Sequence, residues 1–274
     1  MIGIFDSGFG GLKTMKAILQ SLPEYDYVYL GDNARTPYGI RSQDIVKKYT
    51  EEAMHFLWDK QCRLIIIACN TASAEALRYI QQKYHSKLLK EGKRVLGVTM
   101  PIAEEAVSVT RTGRIGVVAT TATIESQSFP KELHKLNKKI VVLEQPCPLI
   151  VSFVEEGWHM RPEARAILKK YLRPLKSHQI DTLILGCTHY SFMMKDFIRI
   201  MGKNCRVLDD STIVAKSLKS YLNRHPEIER DLSKKKTRTF YTTGDCQKFA
   251  SLGKNFLGFE IKNIEKAQLQ EINA

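Results

Sequence analysis

Nine short, β-branched apolar runs, each followed by a segment of helix length, recur along this chain. They are IGIF at 2–5, YVYL at 27–30, LIIIA at 64–68, RVLGV at 94–98, RIGVVA at 114–119, IVVL at 140–143, TLILG at 182–186, RVL at 206–208 and TFYT at 239–242. Strands apolar at nearly every position are buried on both faces, which is the mark of parallel sheet covered by helices. The intervening segments carry the helical period: Leu12, Met15, Leu19 and Leu22 form one apolar stripe, and Ile45, Tyr49, Ala53 and Phe56 another. Pro101, Pro130 and Pro162 stand where helices begin. The predicted fold class is α/β.

The pattern also repeats. IIACNTAS at 66–73 and ILGCTHYS at 184–191 both run from apolar residues into a cysteine, a polar pair and a serine. IGIFDSGFGG from Ile2 matches IGVVATTATI from Ile115, and RVLGVTMPIAEEA from Arg94 matches RVLDDSTIVAKSL from Arg206. The three pairs keep one order and an offset of about 115 residues, which predicts a duplicated unit. With no long Gly- or Ser-rich linker between the copies, two similar α/β halves are expected to pack directly together.

Composition narrows the class. Of the 274 residues, 43% are hydrophobic and 26% charged, as in a soluble globular protein. Apolar runs fall far short of the roughly 18 residues of a membrane helix, so no membrane association is expected. The start, MIGIFDSGFGG, carries no basic leader and predicts no secretory signal. The six cysteines are scattered without a CxxC pair, which argues against a zinc module or a disulfide framework and for reduced thiols in the cytoplasm. The net charge of +13 is spread along the polar sides of helical segments, with one dense cluster, KKKTR, at 234–238. Nothing resembles a helix-turn-helix or basic residues interleaved with aromatics.

In open α/β sheets ligands sit beyond the carboxyl ends of the strands, where loops run into helix N-termini. FDSG at 5–8, ACNTAS at 68–73, ATTAT at 119–123 and GCTHYS at 186–191 fall at such positions. A helix N-terminus attracts anions and lowers the pKa of a cysteine placed there, so Cys69 and Cys187 are where a thiol would be activated. Each feature has a plainer reading. A strand-end cysteine commonly only packs, Asn70 and Thr71 read equally as helix caps, and Asp6 or Ser7 as a cap for the helix from Gly10. His189 reads also as a satisfied core histidine, GFGG lacks the dinucleotide spacing, and GDNARTPYG at 31–39 reads as an ordinary loop. Packing gives no reason, however, to repeat a reactive thiol at an equivalent place. Chemistry does. Two thiols on opposite sides of a cleft can remove a Cα proton from one face and return one to the other, inverting the centre. A thiol pKa near 8.5 suits either role after modest tuning. Helix N-termini and hydroxyls would hold the substrate carboxylate.

Four segments carry a family resemblance: IGIFDSGFGGL, GDNARTPYG, IIACNTAS and LILGCTHY. Together they resemble the signature segments of glutamate racemase, in the aspartate/glutamate racemase superfamily, and the likeness runs from Ile2 through TTGD at 242–245 and FLG at 256–258. The resemblance implies two flavodoxin-like domains with the active site in the cleft between them. Residues 1–94 and 209–274 would form the first and 95–208 the second. It implies catalysis by Cys69 and Cys187, assisted by Asp6, His189 and Glu155. Substrate contacts fall by matched motif on Asp6, Ser7, Tyr38, Gly39, Asn70, Thr71, Thr120, Thr123, Thr188 and His189. It further implies no cofactor and no metal, glutamate as substrate, and D-glutamate supply for peptidoglycan; a homodimer is expected. The chain departs from the family pattern at Ser191-Phe192, where Pro-Leu is usual, at Ala119, where Gly is usual, and in LDDST at 208–212.

The leading expectation is thus two-base racemisation of glutamate. Aspartate racemisation, or another isomerase of the superfamily, is the alternative, because substrate length is not written in these motifs. The net charge is read as a solvated surface. The alternative of another class is a regulatory protein on the same fold that contacts nucleic acid or DNA gyrase, which the resemblance to glutamate racemases thought to restrain gyrase makes conceivable.

Overall fold

The computed structural model describes residues 1–272. Among these residues ten strands form two separate, wholly parallel sheets. The strands are β1 (Ile2–Asp6), β2 (Tyr27–Gly31), β3 (Leu64–Ile67), β4 (Arg94–Gly97), β5 (Arg114–Ala119), β6 (Val141–Pro146), β7 (Thr182–Gly186), β8 (Arg206–Leu208), β9 (Arg238–Thr242) and β10 (Ile264–Lys266). The larger sheet has the order β10-β9-β2-β1-β3-β4 and the smaller β6-β5-β7-β8. The segment 2-1-3-4 of the first is therefore repeated as 6-5-7-8 in the second, and the sequence repeats lie on corresponding strands. The pair that carries Cys69 and Cys187 is β3 and β7.

All nine apolar runs are strands. β10 is the tenth, a three-residue edge strand whose Ile264 is half-buried and whose Glu265 and Lys266 are exposed. Side chains alternate between the two faces of each sheet. Ile2, Ile4, Tyr27, Tyr29, Leu64 and Ile66 line one face of the larger sheet, while Phe5, Val28, Leu30, Ile65 and Ile67 line the other. In the smaller sheet Ile115, Val117 and Ile184 face one way and Val118, Leu183 and Leu185 the other. The first set of each sheet joins a single core through Ile102, Ala103 and Ala106 of the helix Thr99–Val109 and Val214, Ala215 and Leu218 of the helix Asp210–Arg224. Each fully buried Ile or Leu in this shared layer contributes about 1.5–3 kcal/mol. The two sheets are thereby joined through helices, with the carboxyl ends of β1, β3, β5 and β7 converging on one cleft.

The second predicted helix is present, Gln43–Asp59, but its buried stripe is Val46, Thr50, Ala53, Met54 and Leu57, with Ile45 exposed. Glu51 and Glu52 turn inward with it. Arg35 pairs with Glu52, and Lys83, Tyr79 and Tyr84 satisfy Glu51. These distant partners rotate the helix away from the face that apolar periodicity selects. Pro101, Pro130 and Pro162 lie in the first turns of Thr99–Val109, Ser128–Leu136 and Pro162–Ser177. Among the described residues no helix is long and apolar enough to cross a membrane.

Candidate active site

β3 ends in the turn that carries Cys69, and a short helix, Asn70–Glu75, follows. Cys69 is itself the cap of that helix: its Sγ accepts from the Ala72 N–H at 3.5 Å. Asn70 and Thr71 are consequently first-turn residues and not caps. Ser7 Oγ, from the end of β1, lies 3.3 Å from Cys69 Sγ. Asp6 is fully buried beside it. Its Oδ2 accepts from the Gly8 N–H at 3.0 Å, and its Oδ1 has no partner. The cap position of the helix from Gly11 is Gly10, which has no side chain to cap with.

β7 ends in Cys187, also buried, whose Sγ lies 3.9 Å from His189 Nδ1. His189 Nε2 donates to Glu155 Oε1 at 2.6 Å. Glu155 comes from the end of the helix Leu149–Glu155, in the same half as Cys187. It is the most exposed member of this trio, at 19% of its side chain.

Between the two cysteine turns, hydroxyls from both halves meet. Thr71 Oγ1 lies 3.0 Å from Thr120 Oγ1, which lies 2.9 Å from Thr123 Oγ1, and Thr123 Oγ1 returns to Thr71 Oγ1 at 3.3 Å. Thr120 caps the helix Thr121–Glu125 by accepting from the Thr123 N–H. The halves approach closely at two glycines. A Cβ on Gly10 would lie 2.2 Å from Thr188 Oγ1, and one on Gly39 2.5 Å from the Thr120 Cβ. Gly8 faces Glu155 in the same seam. Every sequence-selected residue lies at this cleft or in contact with a residue that does. Tyr38 differs from the others in that its hydroxyl is engaged elsewhere: it donates to Asp32 Oδ2 at 2.5 Å, while the residue packs in the core layer that holds Cys69.

The electrostatics of the two turns are unlike. A helix N-terminus by itself would lower the Cys69 pKa. In the site the thiol is instead pushed up to about 12, by burial first and then by Asp6; the hydrogen bonds from Ser7 and Ala72 oppose this but are outweighed. Burial also raises Asp6, against the opposing pull of His189. For His189 burial disfavours the cation, yet Cys187 and Glu155 together hold its pKa well above the ordinary value. A proton is therefore retained on Cys69 at one side and on His189 at the other.

Sequence reasoning passed over a second ring of groups. Asp32 is buried and takes Arg35 Nε, the Tyr38 hydroxyl and the Thr243 hydroxyl, so GDNARTPYG is a built polar network and not an ordinary loop. Asp32 directly follows a buried strand, the one local signal that marked it. Asp210, which accepts from Asn70, and Lys13, which pairs with Asp209, carried no local signal. Among the described residues no cluster of three or more His, Cys, Asp or Glu is placed to hold a metal ion. All six cysteines are free thiols.

Comparison with known proteins agrees in sequence and in fold. The Asp/Glu/hydantoin racemase family model matches residues 3–218. The chain is 36% identical to the glutamate racemase of Geobacter metallireducens, across 98% of this chain and 97% of that protein. With the glutamate racemase of Chlorobaculum parvum it shares 38% identity across 96% and 94%. It superposes on the crystal structure of glutamate racemase isoform RacE1 from Bacillus anthracis with a TM-score of 0.89 at 33% identity, covering 98% and 97% of the two chains. On glutamate racemase from Francisella tularensis in complex with D-glutamate the TM-score is 0.88 at 34% identity, covering 99% and 98%. Full-length likeness at this identity, on a cleft built from two strand-end cysteines, settles the assignment: the chain is an amino-acid racemase and belongs to the glutamate racemases of the Asp/Glu/hydantoin racemase family.

Proposed function

We propose that this protein interconverts L- and D-glutamate by two-base proton transfer between Cys69 and Cys187, without a cofactor, and so supplies D-glutamate for peptidoglycan. One observation carries the mechanism: the thiols end equivalent strands, β3 and β7, of two sheets with repeated order, each beside its own proton-handling partner. For one enantiomer Cys187, next to the His189 cation, takes the α-proton as thiolate while Cys69 donates; for the other the roles exchange. Asp6 stands by Cys69, and the His189–Glu155 pair by Cys187, to reset each thiol. Thr71, Thr120, Thr123 and Thr188 offer hydroxyls, and Asn70 an amide, to the carboxylate and ammonium groups. Enclosure of these groups strengthens their fields where charge develops. Glutamate is favoured over aspartate because a structural relative at 34% identity holds D-glutamate. We place the domain division at residues 1–94 with 209–274 against 95–208, and take the working unit as a homodimer.

The test is incubation of enantiopure L- or D-glutamate in D₂O without added cofactor. Optical activity should decay while deuterium enters the α-position of the product. Cys69→Ala and Cys187→Ala should each lower interconversion by about 10²–10⁴-fold. Parental rates in either variant would sink the two-thiol assignment, and faster turnover of aspartate would replace the substrate.

A further inference from the structure

Asn70 is buried, and the two ends of its amide have unlike surroundings. Nδ2 donates to Asp210 Oδ2 at 2.9 Å, whereas Oδ1 is buried with no hydrogen-bond partner. Asp210 is buried too and opens the helix Asp210–Arg224. An acceptor on that side fixes the amide's orientation, because only its NH₂ can meet a carboxyl oxygen acting as acceptor. The amide oxygen is then left as a buried acceptor on the residue that follows Cys69, and a lone buried acceptor is costly unless a donor arrives. An amino acid held with its Cα near that thiol brings such a donor in its ammonium group.

We propose that Asp210 is a positioning residue: by holding the Asn70 NH₂ it turns the Asn70 amide oxygen towards the α-ammonium of the bound amino acid. The inference rests on the reading of the cleft given above. Asp210 does this as a neutral acid. Burial first, and then Asp209, pushes its carboxyl up to about 8. Asp209 is held below the ordinary carboxylate range; burial opposes this, but Lys13, Asp210 and Ser211 outweigh it. Lys13 Nζ meets Asp209 Oδ2 at 2.7 Å, so the negative charge of the pair stays on Asp209 and the proton on Asp210. Protonated Asp210 keeps Oδ2 as the acceptor for Asn70. Carrying no charge, it does not compete for the ammonium itself. Lys13 also reaches the Ser191 carbonyl at 3.4 Å, and Ser191 Oγ donates to the Thr188 carbonyl at 3.0 Å. The cation that sets this pair thus also touches the turn after Cys187.

The experiment measures binding of D-glutamate, and of glutarate, the same diacid without the amino group, by calorimetry on the intact protein. Asp210→Leu and Asp210→Ala both remove the acceptor. Each is expected to weaken glutamate by about tenfold or more while leaving glutarate within about twofold. Asp210→Asn accepts through one atom and donates through the other, as the neutral acid does, and should restore parental affinity for glutamate. Equal weakening of the two ligands, or no weakening of glutamate, in either acceptor-free variant overturns the inference. Binding is read, not turnover, so that failure leaves the two-thiol assignment standing. A parent protein that binds neither ligand would instead overturn the reading of the cleft.

Discussion

The turn after β3 and the turn after β7 share a backbone plan and differ in what stands beside the thiol. Cys69 has a buried carboxyl, Asp6, and a serine hydroxyl as neighbours; Cys187 has an imidazole backed by Glu155. Burial first, and then the acid beside it, drives the Cys69 pKa up, while Cys187 and Glu155 hold the imidazole of His189 above its ordinary pKa. Duplication accounts for the two-sided geometry, and divergence of the flanking residues accounts for the unlike neighbours of the two thiols. A symmetric site would start with two thiols or two thiolates. Proton transfer across a carbon needs one of each.

The largest break in that comparison comes from exchanging the helpers. His189→Asn removes the cation beside Cys187, and Asp6→Asn the acid beside Cys69. Each is expected to lower kcat by about 10²-fold, with the larger loss for opposite enantiomers in the two variants. Initial rates from pure L- and pure D-glutamate read this directly. Equal losses in both directions for both variants would mean that the two turns are functionally interchangeable. A smaller effect is expected at the seam. Gly10→Ala puts a Cβ against Thr188, where only 2.2 Å is free, so the Cys187 turn must shift. Shifts of this size near a reacting centre cost about tenfold or more in kcat/KM. An unchanged value, with the fold intact by circular dichroism, would show that the halves do not work at this spacing.

Much of the fold was legible because parallel strands buried on both faces leave continuous apolar text, as in LIIIA and TLILG. β10 was not, since Ile264-Glu265-Lys266 is a short edge strand with one half-buried side chain and no pattern to read. The inward faces of Glu51 and Glu52 were hidden for another reason: their partners Arg35, Tyr79, Lys83 and Tyr84 lie outside the helix that carries them. Cys69 and Cys187 stood out because the cysteine turn occurs twice, whereas Tyr38, Gly39 and Glu155 were picked out by the family resemblance alone. Asp210 did not, because it meets Asn70 across 140 positions of sequence, and neither segment announces the other. The raised Cys69 pKa was equally unreadable. A helix N-terminus is local, whereas the burial that overrides it is assembled by residues distant in sequence, Phe5, Tyr38 and Tyr241 among them.

That burial also makes the finest distinction between the turns testable, through stability rather than rate. Cys69 holds its proton up to about pH 12 in the folded protein, against an ordinary value of about 9 when unfolded. A group whose folded pKa is raised contributes stability fully present below its unfolded pKa and lost as pH rises through the folded one. The window is therefore about pH 9 to 12, with a slope of at most about 1.4 kcal/mol per pH unit for one proton. Cys62 and Cys205 are likewise pushed up to about 12 by burial, so the parent protein should lose stability across the same window from several thiols at once. Cys69→Ser removes one of them without emptying the site. Urea unfolding at pH 8.5 and again at pH 10.5 should show a smaller loss in the variant than in the parent. Identical losses would mean that Cys69 ionises freely in the folded state. The asymmetry between the two turns would then rest on His189 and Glu155 alone.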